Sequence, residues 1–243
     1  MSSNGNGKKC SLEAVILDMD GVIIDSHPVH LRAWQRFLET MGRHISQGDL
    51  AYILDGRKRT EILRHFWGDL SESEILEYGK RKDEFFQKAA LEVTLLPGVS
   101  DFLVQLKKQN IALAVATSAS TTRTQSTFKR LRLDDYFAVV VTGDDIVQGK
   151  PDPAVYRTAC ERLRVPPENA VAFEDAVSGI RAAKAARLRC VAVAGHEPRQ
   201  KFEAAGADHI IRDFVGLSVR DLTNILGRNR SDILPQQLAS SVH

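Results

Sequence analysis

The sequence predicts an α/β fold: a parallel sheet with helices on both faces, interrupted after its first strand by a small all-helical domain. Three observations predict it. A short apolar run at 13–17 ends in two aspartates and a glycine, as a buried central strand does. From Ile45 to Ala90 the apolar spacing is helical throughout, with no strand pattern inside it. From Val99 onward helix and strand patterns alternate, which is how parallel strands and their crossover helices read in sequence.

Taken in order, the first strand leads through Val22, Ile23 and Ile24 to Pro28, which opens a helix to about Met41. Leu31, Trp34 and Leu38 mark its buried face. Further helices are expected around 46–54, 59–67 and 71–90, the last with Ser71 as N-cap before Glu74. Pro97-Gly98 punctuates the return. Helices at 98–109, 122–131, 153–163 and 177–187 then precede strands at Ala112–Ala116, Ala138–Val141, Ala170–Phe173 and Cys190–Ala194. A helix near 198–205, a strand at His209–Ile211 and a helix at 216–226 complete the pattern. The polar ends, 1–11 and 227–243, are expected to be flexible tails, and the first has no apolar stretch resembling a signal peptide.

Composition narrows the classes of function. A net charge of +2, from 33 basic and 31 acidic residues, creates no field that would favour nucleic acid or an anionic membrane. Cys10, Cys160 and Cys190 form neither a disulfide framework nor a metal-type spacing, so a reducing cytoplasm is the expected setting.

The chemistry is expected where strands end, because open α/β sheets bind ligands outside their carboxyl edge. Asp18 and Asp20, at positions i and i+2 of an extended chain, share a face. Two such carboxylates persist together only if a cation neutralises one or a proton stays on the other. An anionic Asp18 would attack, and a protonated Asp20 would donate to a leaving group. A simple turn is the alternative for Asp-x-Asp-Gly.

Three more polar clusters follow three more strands. Thr117-Ser118-Ala119-Ser120-Thr121 opens a helix, where hydroxyls and free N–H groups either bind an anion or serve as caps. Lys150 lies in a rigid segment, with Asp152 expected as N-cap and Pro153 as first helical residue; it would hold a phosphate or remain a solvated lysine. Glu174-Asp175 supplies oxygen ligands suited to Mg²⁺, or merely an acidic helix start, with Gly179 permitting close helix packing. Four clusters on one rim assemble what phosphoryl transfer needs: a nucleophile, an anion site, a cation and metal carboxylates.

In the order Asp18-Met19-Asp20-Gly21-Val22, Thr117-Ser118, Lys150-Pro151 and Glu174-Asp175, the chain resembles the haloacid dehalogenase-like phosphohydrolase superfamily. The resemblance is to its subgroup of β-phosphoglucomutases and small phosphosugar or phosphoglycolate phosphatases, and covers about Glu13 to Leu226. It implies a Rossmann-like core at 12–27 and 97–226 and a helical cap at 28–96. It also implies that Asp18 forms an aspartyl phosphate, and that Asp20 protonates the leaving oxygen and then activates water. Mg²⁺ would be held by Asp18, the Asp20 carbonyl and Asp175, with Glu174 as a direct or water-mediated ligand. Thr117, Ser118 and Lys150 would bind the phosphoryl oxygens.

In the cap, His30, Lys82, Gly56 and Arg59 match substrate-contacting positions of the mutase-like members. The sequence departs from the mutase type at Asp55, where a basic residue is expected, and at Ile62, which replaces a polar one. The implied function is a Mg²⁺-dependent phosphatase of a small sugar or polyol phosphate, acting as a monomer without nucleic acid or membrane partners. A β-phosphoglucomutase-like isomerase and a non-catalytic phosphometabolite-binding protein are the alternatives.

Overall fold

The computed structural model describes residues 11–195 and 197–227. The expected tails lie outside these residues except for Ser11 and Gly227, as does Cys10.

The first strand, β1 (Ala14–Leu17), is buried along its whole length. Its residues alternate between two apolar cores: Val15 and Leu17 face one, Ala14 and Ile16 the other. A fully buried side chain of this kind contributes roughly 1.5–3 kcal/mol, so the strand is anchored from both sides. After it come β2 (Ile24–Asp25), α1 (His27–Thr40), α2 (Gln47–Leu54), α3 (Arg59–Trp67), α4 (Glu72–Lys88) and β3 (Thr94–Leu95). Then follow α5 (Val99–Lys108), β4 (Ala112–Ala116), α6 (Thr121–Leu131), β5 (Val139–Val141), α7 (Ala154–Leu163) and β6 (Ala170–Glu174). The chain continues through α8 (Val177–Ala185), β7 (Arg189–Val193), α9 (Arg199–Ala205), β8 (His209–Ile211) and α10 (Val219–Gly227).

Six strands form one parallel sheet in the order β5-β4-β1-β6-β7-β8. The chain moves outward from β1 to β4 and β5, then crosses back to β6, so the order reverses beside β1. Register makes that edge flush. Leu17 is paired with Val115 of β4 and Phe173 of β6, and Ala116 with Val141 of β5. The residues after these strands therefore emerge in a row.

Helices α1–α4 pack around their own apolar cluster, with Trp34, Phe37, Leu38, Ile53, Ile62 and Leu63 buried. The capping boxes at Ser46 with Asp49 and Ser71 with Glu74 start α2 and α4. The sequence pattern missed the ribbon at the root of this block, where β2 pairs antiparallel with β3 through Ile24 with Leu95 and Asp25 with Thr94. Two-residue strands are too short for alternation to register.

Two start signals also differ from expectation. Pro153 occupies the N-cap of α7, one position later than predicted, although the Asp152 side chain still accepts from Ala154 N at 2.8 Å. The final helix begins only at Val219, because Gly216 adopts a left-handed φ of 75° and Ser218 starts the first turn. Among the described residues no helix is long and apolar enough to cross a membrane.

Gly98 joins the helical block to the sheet with φ of 81°, and a Cβ there would overlap the Phe214 and Val215 backbone. Gly98→Ala is therefore expected to lower unfolding stability by roughly 1–3 kcal/mol, read as a lower urea midpoint at unchanged m-value.

Candidate active site

Asp18 continues the parity of Ala14 and Ile16 toward α7 and meets Lys150 there. Lys150 Nζ lies 2.6 Å from Asp18 Oδ1 and 2.5 Å from Glu174 Oε1, and donates to Ala116 O at 3.2 Å. All three side chains are buried. Burial disfavours the Lys150 charge, yet Asp18 and Glu174 together raise its pKa. Asp18 is itself pushed well above the usual carboxylate range by burial and by Glu174, Asp175 and Asp20, against the pull of Lys150. Both directions say the same thing: the rim is short of positive charge.

Asp20 is neutralised differently from expectation. Instead of keeping a proton, it is gripped by Arg123, whose Nη1 donates to Oδ1 at 2.9 Å and whose Nη2 pairs with Oδ2. Ser26 Oγ also donates to Oδ1, at 2.5 Å. Burial works against the charged form, but Arg123 outweighs it and holds Asp20 far below the usual range. Arg123 thus favours the carboxylate form of Asp20.

The Glu174 carboxylate is fully enclosed. Oε1 meets Lys150 and accepts from the Tyr156 hydroxyl at 2.6 Å, while Oε2 accepts from Asp175 N at 3.2 Å and Ala176 N at 3.4 Å. It therefore orients Lys150, with both oxygens engaged by protein donors. Gly179 does more than allow helix packing, since a Cβ there would overlap this carboxylate.

Asp175 remains to face the cleft. Its buried Oδ2 has no well-aligned hydrogen-bond donor, and His27 Nε2 lies 3.0 Å away. Burial would lower the His27 pKa, but Asp175 raises it. Gly21, with φ of 73°, leaves the space that Asp175 and His27 fill. Among the described residues no three acidic, histidine or cysteine side chains gather as a ready ion cage, as follows from Asp20 turning to Arg123 and Glu174 to Lys150. Two carboxylates, Asp18 and Asp175, are left with the backbone carbonyls. Hard oxygen donors in a cluster carrying more acids than cations fit a divalent ion such as Mg²⁺.

Thr117 is buried, with Oγ1 accepting from Ala119 N at 3.1 Å, so its hydroxyl proton is not used in that bond. Ser118 departs from expectation: its hydroxyl donates to Gly56 O at 2.5 Å, tying the loop before α3 to the sheet rather than presenting that proton to a phosphate. Asp55 binds the start of α8 through Ser178 N at 3.0 Å, and Arg57 lies 3.2 Å from its carboxylate. Ile62 belongs to the apolar core of the helical block.

The other wall of the cleft carries His30, Lys82 and Arg59. Arg59 Nη1 pairs with Asp83 Oδ2 at 2.5 Å, and Gly79 on α4 leaves the room its guanidinium needs. Trp34 Nε1, a donor only, donates to His30 Nε2 at 3.2 Å. The His30 pKa is pushed well down by burial and by Lys82, so the neutral ring carries its proton on Nδ1. Lys82 Nζ is 3.3 Å from that Nδ1. Burial, then Arg123, lowers Lys82 to about 7. These walls face one another across a partly open cleft that Asp18, Asp20 and Asp175 also line.

The pattern at the strand ends thus brings together Asp18, Asp20, Thr117, Lys150, Glu174 and Asp175, with His30, Gly56, Arg59 and Lys82 opposite. It missed His27, Tyr156 and Arg123. Only Arg123 left a trace in sequence, as a cation in the first turn of a helix, where the dipole disfavours it.

Residues 15–193 match the model of the haloacid dehalogenase-like hydrolases, and the chain belongs to that family. Its members generally use Mg²⁺. The chain is 38% identical over 179 residues to a phosphorylated carbohydrates phosphatase of Thermotoga maritima, covering 73% of this chain and 82% of that one. It is 33% identical over 217 residues to a beta-phosphoglucomutase of Bacillus subtilis, covering 86% and 92%. The crystal structure of CbbY from Rhodobacter sphaeroides in complex with xylulose-(1,5)bisphosphate superposes with a TM-score of 0.78 at 31% identity, covering 87% of this chain and 99% of that one.

The buried Lys82 makes stability depend on pH. Its folded pKa of about 7 lies below the ordinary 10.5, so between these values the unfolded chain binds more protons and the fold gains stability as pH rises. Relative to Lys82→Met, the wild type is expected to gain roughly 1 kcal/mol per pH unit between pH 7.5 and 9.5, measured by urea unfolding.

Proposed function

We propose that the chain is a Mg²⁺-dependent phosphatase of small phosphorylated sugars or polyols, acting through an aspartyl phosphate on Asp18. The observation that carries this reading is the buried Asp18, held 2.6 Å from Lys150 at the point where the strand order reverses. Asp18, the Asp20 carbonyl and Asp175 would hold Mg²⁺, which when bound neutralises charge on the phosphoryl group and on Asp18.

Asp18 attacks phosphorus and forms a new O–P bond while the ester O–P bond breaks. The departing alkoxide takes a proton from Asp20. Water then attacks the phosphorus of the aspartyl phosphate and its proton passes to Asp20, releasing phosphate and restoring both aspartates. Lys150, released in part from Asp18 once phosphate is present, offsets the charge of the equatorial oxygens together with the Thr117 hydroxyl.

His30, Gly56, Arg59 and Lys82 belong to a cap that selects the rest of the substrate. Closure of such a cap over bound substrate would exclude water from the reaction. The 33% identity to a beta-phosphoglucomutase favours a second reading as a phosphosugar isomerase. It is the weaker of the two, because a mutase must retain a bisphosphate, whereas Arg59 is already neutralised by Asp83. The intact Asp18–Lys150–Glu174 cluster argues against a binding protein without catalysis.

Phosphate release is expected from a panel of sugar and polyol phosphates supplied with Mg²⁺. Asp18→Asn is expected to lower kcat by at least about 10³-fold, and undiminished turnover in that variant would remove the nucleophile. Chelation with EDTA is expected to abolish turnover, and added Mg²⁺ to restore it; activity that survives chelation contradicts the assignment of the cofactor. Accumulation of glucose 6-phosphate from β-glucose 1-phosphate and a bisphosphate primer, without comparable free phosphate, would favour the isomerase.

A further inference from the structure

We infer that Arg123 is the positioning residue for Asp20 and that its grip selects Asp20 Oδ2 as the oxygen that exchanges protons in the reaction. The inference rests on the acid–base reading of Asp20 proposed above. Arg123 stands in the first turn of α6, where a cation opposes the helix dipole and the turn itself carries no acidic residue. Its side chain is also buried, at 5% exposure. Local structure therefore offers no reason for an arginine at this place. The reason lies across the cleft, in a carboxylate 103 residues earlier.

The geometry is a two-pronged guanidinium–carboxylate pair, which sets the plane of the carboxylate as well as its charge. The guanidinium is held on its other side by the Phe86 ring of α4, whose centroid is 4.9 Å from Arg123 Cζ. Each carboxylate oxygen offers about two lone-pair directions. Oδ1 accepts from both Arg123 Nη1 and Ser26 Oγ, so its directions are taken. Oδ2 accepts from Arg123 Nη2 alone, and one direction stays open. Water attacking the aspartyl phosphate gives its proton to Oδ2, and the same oxygen returns that proton to the departing alkoxide of the next substrate. Lysine cannot reproduce the fork, because an ammonium is a point charge that leaves the carboxylate free to turn.

The test is steady-state kinetics of the full chain with Mg²⁺ on its best phosphate ester, with melting temperatures as a control for folding. Arg123→Gln is expected to lower kcat by about 10²-fold, the size of a general acid–base contribution, with KM within about threefold, and Arg123→Lys to recover only part of that loss. In the Asp20→Asn background, Arg123→Gln is expected to cost nothing further, because both changes remove one function. A wild-type kcat in Arg123→Gln, a defect confined to KM, or full additivity in the double variant each overturns the inference. Should Arg123→Gln not fold, Arg123→Lys decides alone: lowered kcat at unchanged KM supports the positioning role, and wild-type kcat removes it. Asp20→Asn with undiminished kcat overturns instead the acid–base reading itself, whatever the Arg123 variants do.

Discussion

The structure turns on one electrostatic constraint: four carboxylates converge on a buried rim that water cannot screen. Asp18, Asp20, Glu174 and Asp175 would drive that rim apart if left alone. Two cations from distant parts of the chain hold it together, each with its own carboxylates. Lys150 bridges Asp18 and Glu174, and Arg123 closes on Asp20. His27 lends Asp175 partial relief. The balance is still negative, and the upward push on Asp18 is the mark of that deficit.

Supporting residues explain why this cluster survives burial. Tyr156 and two backbone N–H groups complete the Glu174 carboxylate, so the bridge to Lys150 leaves no acceptor idle. Gly21 and Gly179 clear the space into which Asp175 and Glu174 fit. Across the cleft, the helical block is seated by polar contacts: Ser118 to Gly56, Ser178 to Asp55, Lys58 to the Ile146 carbonyl and Gly149 to Glu61. Bonds of this kind contribute about 1 kcal/mol each, strong enough together to define a closed state and weak enough for ligand binding to offset. Ser118 lies on this seam and within the loop proposed to bind phosphate.

Legibility followed the range of the interactions. Helix and strand limits fell within about three residues of their expected places, since they come from local spacing and caps such as Ser71 with Glu74. Asp18, Lys150 and Asp175 were readable because each follows a strand whose apolar pattern is unmistakable. The pairing of Arg123 with Asp20 had no such signature. A surface arginine and a buried clamp look alike in sequence, and 103 residues separate the partners. Glu174 was readable at a strand end, but its contact with Tyr156, another partner distant in sequence, was not.

By itself, the sequence determined the order of elements, the α/β class, the inserted helices and the strand-end positions of the reactive groups, all carried by periodicity and turn chemistry along the chain. The tertiary structure decided how charge is shared among them: Lys150 with Asp18 and Glu174, Arg123 with Asp20, and Lys82 buried beside His30. Protonation and orientation depend on burial and on partners brought close by the sheet's register, and neither quantity exists until the chain has folded.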